Sequence, residues 1–237
     1  MLMAQASQLT LYELAAADEA LRFSPHCWKT RMALAHKGLH AERVAWRFTE
    51  KDRIAFSGQG RVPVLVDQGE AVSDSWSIAL HLEERYPDRP SLFGAPHAIG
   101  LTQFVNSWAD MALIPPLVKI LLVDIHQLID DRDKEYFRQS RESRLRMTLE
   151  AAVADRPARL AEFRQALQPL RAHLKERSFI AGDRPAYADY CVFGMFMWAR
   201  CTCEVDVLEP GDVVFAWRER LLDAFDGLAR RAPAIQQ

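Results

Sequence analysis

The pattern of apolar residues along the chain changes once, at a segment that spans residues 87–96. This segment contains three prolines and Gly94 and has no helical periodicity, which is typical of a linker. Short β-rich runs alternate with helical segments before it, whereas every long segment after it has the apolar spacing of a helix. A chain of 237 residues can hold two modest cores. We therefore expect one domain at residues 1–87, a linker at 88–97 and a second domain at 98–237.

The first part of the chain predicts four strands and two or three helices. Strands are expected at residues 8–14 and 44–48, with a hairpin at 62–66 and 71–73. A helix should start at Ser24 and Pro25 and end at Gly38, a partly helical stretch should reach residue 60, and a second helix should cover 75–86. The order βαβαββα is that of an α/β thioredoxin-like domain.

The second part of the chain predicts an all-α helical bundle. Apolar residues recur every three or four positions over residues 98–129, 135–153, 157–177, 187–203 and 213–232. At residues 186–189 a helix start has Ala186 where a capping Ser or Thr is usual, but Asp189 can still accept from the backbone N–H of Ala186. The arginine-rich stretch 138–146 is interpreted as a solvated helix face.

The composition argues against nucleic-acid and membrane partners. The formal net charge is −2, so the chain lacks the basic excess that phosphate binding demands. The most apolar segments, 111–123 and 191–199, fall short of the ~18 residues of a membrane span. The first nine residues contain no Lys or Arg and no long apolar run, so neither a signal nor a transit peptide is expected. We expect a cytoplasmic protein.

Cysteine and histidine spacing predicts neither a metal site nor a structural disulfide. The four cysteines, Cys27, Cys191, Cys201 and Cys203, form no CxxC pair and no zinc-ligand pattern. In a redox CxxC motif, the resolving cysteine would stand at the position of Cys27. The position of the other cysteine is occupied by Ser24, which disfavours disulfide exchange. The histidines, including His26, His36 and His81, are interpreted as surface or capping residues.

Ser24 is the first candidate for chemistry. It lies at the N-terminal end of a helix, where free N–H donors and a partial positive charge accumulate. Its hydroxyl could donate a hydrogen bond to a thiolate that arrives on a ligand, so its role would be stabilisation and not attack. The alternative is that Ser24 is only a helix cap.

Two further segments could hold a peptide. A cis Val62–Pro63 bond would leave the N–H and C=O of Val62 free to pair with an extended peptide, whereas a trans proline at a strand edge is the plain alternative. At the next helix start Asp74 could meet an ammonium group, and Ser75 with the first-turn N–H groups could hold a carboxylate. The alternative for both residues is a simple cap.

In this order and spacing, the motifs resemble the cytosolic glutathione S-transferase family over nearly the whole chain. They are the Ser-Pro-x-Cys helix start, the Val-Pro turn, the acid-Ser pair, the linker and the helical domain. The resemblance implies that Ser24 activates the glutathione thiol, Val62 pairs with the cysteinyl backbone, and Asp74 and Ser75 hold the γ-glutamyl group. Candidates for the glycine carboxylate are Lys51, Gln59 and Arg61. The resemblance also implies a homodimer, with glutathione as the co-substrate.

Within that family, the residues around Ser24 and the turn at 57–60 look most like the bacterial β-etherase group and its fungal relatives. Such enzymes cleave β-aryl ethers, so the second substrate is expected to be a hydrophobic, aromatic electrophile. Its candidate pocket residues lie on later helices: Trp108, Met111, Ile114 and Trp198. For each of these the alternative is an ordinary core position.

Three alternatives to this reading stay open. Tyr12, near the end of the first strand, is the rival to Ser24 for thiol activation. The fold could serve a non-catalytic ligand carrier or interaction protein, because fold does not fix function. A glutathione-dependent isomerase could use the same thiol as a reversible nucleophile.

Overall fold

Four strands form one mixed sheet in the order β2-β1-β3-β4 in the computed structural model, which describes residues 9–236. Strand β1 (Leu9–Leu14) pairs in parallel with β2 (Ala41–Trp46) and antiparallel with β3 (Val64–Asp67), which pairs antiparallel with β4 (Glu70–Ser73). Helix α1 (Pro25–His36) connects the parallel strands, a 3₁₀ segment covers Lys51–Ser57, and α2 (Ser75–Arg85) follows β4. The predicted thioredoxin-like order is confirmed. The predicted strand start at Gln8 lies outside the described residues.

The remainder of the chain is helical, and no helix or strand lies between Arg85 and Pro96. The helices are α3 (Pro96–Trp108), α4 (Ile114–Leu128), α5 (Asp131–Leu145), α6 (Leu149–Val153), α7 (Arg156–Ala166), α8 (Gln168–Leu174), α9 (Tyr187–Thr202) and α10 (Val213–Gly227). The α/β plus all-α architecture is therefore as predicted. Within residues 9–236, no helix combines the length and the apolarity needed to cross a membrane.

Strand β2 ends earlier than the alternation at residues 44–48 predicts. Leu14, the last residue of β1, is paired with Trp46, so the ladder stops there. Beyond it the backbone N–H groups of Phe48 and Thr49 donate to the buried carboxylate of Asp133 on α5, at 3.0 and 2.9 Å. A tertiary hydrogen bond thus ends the strand, and the sequence pattern carries no sign of it.

The helix predicted over residues 98–129 is two α-helices joined by a π-helical turn at Ala109–Leu113. Pro115 and Pro116 have no backbone N–H, so the carbonyls one turn earlier lose their usual donors. A widened turn accommodates this loss, and π-turns of this kind are frequent at functional sites.

Three other predicted helices are also interrupted. The helix expected at 135–153 is divided because Arg146 adopts the left-handed conformation and Thr148 caps α6. The one expected at 157–177 breaks at Leu167, between α7 and α8. The last helix ends at Gly227 after a non-helical stretch at residues 224–226, and not at residue 232 as expected.

Asp189 replaces the missing cap at the start of α9. Its carboxylate accepts from the backbone N–H of Ala186 at 3.0 Å and of Ile180 at 2.8 Å, and from the Trp217 indole at 2.8 Å. The predicted bond back to Ala186 is confirmed. The carboxylate also joins α10 to the start of α9, because Trp217 lies on α10.

Helix α9 packs closely against the first turn of α1. A Cβ placed on Gly194 of α9 would lie 2.4 Å from the carbonyl oxygen of Pro25, so only glycine allows this approach. A glycine inside a helix costs about 0.5 to 1 kcal/mol relative to alanine. The contact with α1 explains why glycine occupies this buried position.

We predict opposite effects for the same substitution at two helical glycines. Gly194→Ala should lower the free energy of unfolding by about 1 to 3 kcal/mol, because the new methyl group overlaps backbone that cannot move freely. Gly100→Ala on α3 should raise it by about 0.5 to 1 kcal/mol, since no atom lies within 4 Å of the added Cβ. Urea denaturation followed by circular dichroism measures both, and equal effects would contradict the packing argument.

Candidate active site

Ser24 caps α1 from an almost fully buried position. Its side chain is 5% exposed, and Oγ accepts a hydrogen bond from the backbone N–H of Cys27 at 3.3 Å. Because Oγ accepts here, its own proton remains available for donation to a group in front of the helix. Pro25 follows at the first helical position, as predicted.

The cis-proline turn and the start of α2 meet the same end of α1. The Val62–Pro63 bond is cis, and the backbone N–H of Asp74 donates to the carbonyl of Pro63 at 3.4 Å. Helix α2 packs against α1. Burial and the charge of Lys29 are the main causes of the lowered pKa of His26 in the first turn of α1, and the nearby charges of Asp74 and Arg61 act on that pKa in opposite directions. The structure therefore brings the three predicted segments together around the start of α1.

Asp74 occupies a strained backbone conformation, with φ 75° and ψ 133°. Such a conformation costs a non-glycine residue about 1 to 3 kcal/mol and persists only where the surroundings impose it. The Asp74 carboxylate caps α2 by accepting from the N–H groups of Trp76 and Ser77, at 2.9 and 3.2 Å. Next to it, the buried Ser75 has its carbonyl held at 2.6 Å by the hydroxyl of Tyr187 on α9.

Lys51, Gln59 and Arg61 form a neighbouring group on the sheet domain. The Gln59 side-chain amide donates to the carbonyl of Arg61 at 3.0 Å. The stem of Lys51 runs beside Gly60, where a Cβ would lie 3.5 Å from the lysine Cδ. Lys51 and Arg61 are both exposed, so their charges are accessible to an anion.

Three of the four predicted second-substrate residues lie at or within the π-turn, and the fourth lies on another helix. Trp108, Met111 and Ile114 lie before, within and after it, while Trp198 lies on α9, which packs against the turn. Met111 is 79% exposed, whereas the other three are half-buried and pack against the core. A single exposed apolar side chain is ordinary on a protein surface, so the exposure of Met111 does not by itself mark a binding site.

Tyr12 packs against Phe56, with ring centroids 5.6 Å apart. Neighbouring residues of a strand face opposite sides of the sheet, and the next residue, Glu13, forms an ion pair with Arg31 of α1. The Tyr12 ring therefore lies on the sheet face away from α1. This position favours Ser24 over Tyr12 as the group nearest to the start of that helix.

The cysteines are buried and free. Burial raises the pKa of the Cys27 thiol to about 12, so it stays protonated near neutral pH. A protonated thiol is a poor nucleophile in disulfide exchange. Within residues 9–236, no group of three or more His, Cys, Asp and Glu side chains is arranged to hold a metal ion.

The interpretation of the histidines as surface or capping residues was wrong for three of them. His36 Nδ1 lies 2.7 Å from the hydroxyl of Tyr190, and His81 Nε2 lies 2.8 Å from Oδ2 of Asp67. His26 is half-buried in the first turn of α1, next to the charges of the candidate site. The Ser-Pro start itself could have indicated this placement, because it fixes His26 in the first turn.

Lys29 is a buried residue of the site region that sequence reasoning missed. Its ammonium group, 0% exposed, donates to Oδ1 of Asn106 and of Asp110, both at 2.8 Å. Asp110 lies in the π-turn, so this ion pair joins α1 to the candidate second-substrate residues. A lysine within the apolar stripe of α1 was the available signal, since buried charges are paired.

A cleft of about 720 Å³ lies away from this region, between α7, α8 and residues 209–213. Two of its cations are neutralised internally: Arg164 pairs with Glu209, and Arg171 pairs with Asp212. The cleft therefore has little unpaired charge with which to select a ligand. We assign the candidate active site to the start of α1.

The fold and this site define a class of protein: a thioredoxin-like sheet domain joined to a helical domain, with a capped helix start and a cis-proline turn side by side. Residues 23–85 match the model of the glutathione S-transferase N-terminal domain, and residues 100–226 match that of its C-terminal domain. The chain belongs to the glutathione S-transferase family.

Among curated proteins, a glutathione S-transferase-like protein of Aspergillus flavus is 29% identical over 143 residues, which are 54% of this chain and 50% of that protein. A zeta class glutathione S-transferase of Euphorbia esula is 36% identical over 70 residues, 27% of this chain and 31% of that protein. The matches thus span about half of the first relative and less of the second.

Solved structures share the fold. Glutathione transferase GSTFuA3 from Phanerochaete chrysosporium has a TM-score of 0.82 at 22% identity and covers 92% of this chain and 97% of its own. A glutathione S-transferase of Ceriporiopsis subvermispora in complex with glutathione has a TM-score of 0.79 at 22% identity, with 92% and 96% covered. The β-etherase LigF from Sphingobium sp. strain SYK-6 has a TM-score of 0.66 at 19% identity, with 91% and 95% covered.

We predict that His26 makes the fold acid-sensitive. Burial, then the charge of Lys29, lower the pKa of His26 from its ordinary 6.5 to about 4. Between these pH values the unfolded chain binds a proton that the folded chain does not, so stability falls as pH falls from about 6.5 to 4. His26→Gln should therefore show a shallower decline of Tm with falling pH than the unsubstituted protein. His40→Gln, at an exposed position, is the control, and parallel declines for all three proteins would contradict the prediction.

Proposed function

We propose that this protein is a glutathione S-transferase in which Ser24 stabilises the thiolate of bound glutathione. The observation that carries the proposal is the Ser24 hydroxyl, which caps α1 beside the cis-proline turn and the start of α2. Its oxygen accepts from the Cys27 N–H, and its hydroxyl proton can be donated to a thiolate. Ser24 thus donates a hydrogen bond and does not attack.

The proposed binding mode uses the neighbouring segments. Val62 pairs with the cysteinyl backbone, and within residues 9–236 its N–H and C=O have no backbone partner. Asp74 and Ser75 hold the γ-glutamyl group at the start of α2. Lys51, Gln59 and Arg61 hold the glycine carboxylate, which suits the two cations because neither forms an ion pair among the described residues, 9–236.

The energies suffice for thiolate formation near neutral pH. A charge-assisted hydrogen bond contributes about 1.5 to 3 kcal/mol, and a helix N-terminus about 0.3 to 2 kcal/mol. One pKa unit corresponds to about 1.36 kcal/mol, and a free thiol titrates at about 8.5. The two effects together bring the thiol pKa close to neutrality or below it.

The proposed second substrate is a hydrophobic aromatic electrophile that lies beside Trp108, Met111, Ile114 and Trp198. We propose β-aryl ethers as the compounds to test first, on the resemblance of the Ser24 segment to the β-etherase group. The glutathione thiolate attacks the carbon that bears the ether oxygen, so a C–S bond forms and the C–O bond breaks. A phenolate leaves with the electron pair and takes a proton from solvent.

Two other classes of function compete with this one. A non-catalytic carrier would bind glutathione without lowering its thiol pKa. A glutathione-dependent isomerase would lower the pKa but release glutathione unchanged, without a thioether product. The buried Ser24 hydroxyl at the start of α1 and the adjoining cis-proline turn favour the transferase over the carrier, because a carrier needs no group that activates a thiol. Only the reaction product distinguishes the transferase from the isomerase.

We propose the same domain division as above, with a sheet domain at 1–87, a linker at 88–97 and a helical domain at 98–237.

We also propose a homodimer, in which the exposed apolar side chains of Leu101 and Phe104 on α3 are covered by the second copy. The four free cysteines support a cytoplasmic location, since reduced thiols are typical of that compartment.

Ser24→Ala should raise the pKa of the bound glutathione thiol by about 1 to 2, because it removes one charge-assisted hydrogen bond. The thiolate absorbance of the protein–glutathione complex is followed against pH for this variant and for Tyr12→Phe. Tyr12→Phe should titrate like the unsubstituted protein. The reverse result would assign activation to Tyr12, a thiol that titrates at its free value in all proteins would favour a carrier, and absence of binding would end the proposal.

With a β-aryl ether and glutathione, we expect equal amounts of phenol and glutathione thioether from the unsubstituted protein. Ser24→Ala should slow this reaction by about 10- to 100-fold at neutral pH, in proportion to the lost thiolate and its lost stabilisation. Chromatography with mass detection quantifies both products. Rearranged substrate without a thioether would instead support the isomerase.

A further inference from the structure

Helix α5 is fixed against the part of the sheet domain that contains Lys51. Asp133, fully buried in its first turn, accepts from the N–H groups of Phe48 and Thr49 and from the Thr49 hydroxyl, the last at 2.6 Å. Lys51 follows two residues after Thr49. The side chains of α5 therefore keep a defined position relative to the segment that starts at Lys51.

Two cations lie on aromatic rings at this contact. The Lys51 ammonium is 4.8 Å from the ring centroid of Tyr136 on α5. The Arg141 guanidinium carbon is 4.7 Å from the ring of Phe137 and 5.3 Å from that of Phe48. Arg141 is half-buried, so this part of the arginine-rich stretch is not the solvated helix face that the sequence predicts.

The charges at this contact lack acidic partners. Within residues 9–236, Lys51, Arg61 and Arg141 form no ion pair, whereas Arg138 one turn away pairs with Glu142 and Glu150. Burial, then the nearby positive charge of Arg144 and that of Arg61, lower the pKa of Arg141. Like charges that gather without a counter-ion favour the binding of an anion.

We propose that Arg141 is a ligand-binding residue, which with Lys51 and Arg61 holds the carboxylate at the glycine end of glutathione. The helical domain thus contributes directly to recognition of the peptide, and not only to the electrophile pocket. This inference rests on the proposed function. The inference goes beyond the proposed function by assigning a contact with the glycine carboxylate to a residue of α5.

The test compares glutathione with its glycyl monoethyl ester, which lacks that carboxylate, by isothermal titration calorimetry. Arg141→Met retains an apolar stem on the two rings and should weaken glutathione binding about tenfold, the loss of one charged contact. It should leave the affinity for the ester unchanged. Arg220→Met is the matched control, because Arg220 lies 5.5 Å from the ring of Phe179 at a distant site.

Arg141→Lys keeps the charge and should recover most of the lost affinity, which separates a charge effect from damage to the fold. Equal weakening of glutathione and ester by Arg141→Met, or no weakening of either, would overturn the assignment of Arg141. If the unsubstituted protein binds neither ligand, the proposed function itself fails, and Arg141 loses its role with it.

Discussion

The position of Ser24 depends on the packing of α1 against the helical domain. Gly194 lets α9 approach the carbonyl of Pro25, and Lys29 binds Asn106 and Asp110 across the same interface. Burial of an ammonium group is costly unless it is paired, so the Lys29 contacts have to form with good geometry. The sheet domain supplies the catalytic hydroxyl of the proposed mechanism, but the helical domain fixes its location.

The same packing creates an interior that disfavours charge, and this bears on where a thiolate can form. Burial raises the pKa of Cys27 and of Cys191 to about 12 and lowers that of His26 to about 4. The protein's own thiols are therefore not the reactive ones near neutral pH. A thiolate has to come from a ligand in front of α1, where the helix terminus and the Ser24 proton offset its desolvation.

Local sequence signals predicted where helices and strands lie. Features that depend on contacts between distant residues could not be predicted from the sequence. Ser24, Pro25 and Gly38 mark α1 because caps and turns act within a few residues. The end of β2 depends on Asp133, which lies 85 residues from Phe48. Arg138 and Arg141 look alike in the sequence, yet one pairs with surface acids and the other packs on the sheet domain.

The π-turn connects the two halves of the proposed site physically. Asp110 within it binds Lys29 of α1, while Trp108, Met111 and Ile114 lie around it at the candidate electrophile position. The Asp110 side chain is 34% exposed, so water can solvate one end of the carboxylate while Lys29 holds the other. The ion pair therefore fixes the π-turn against α1, the helix whose start is capped by Ser24.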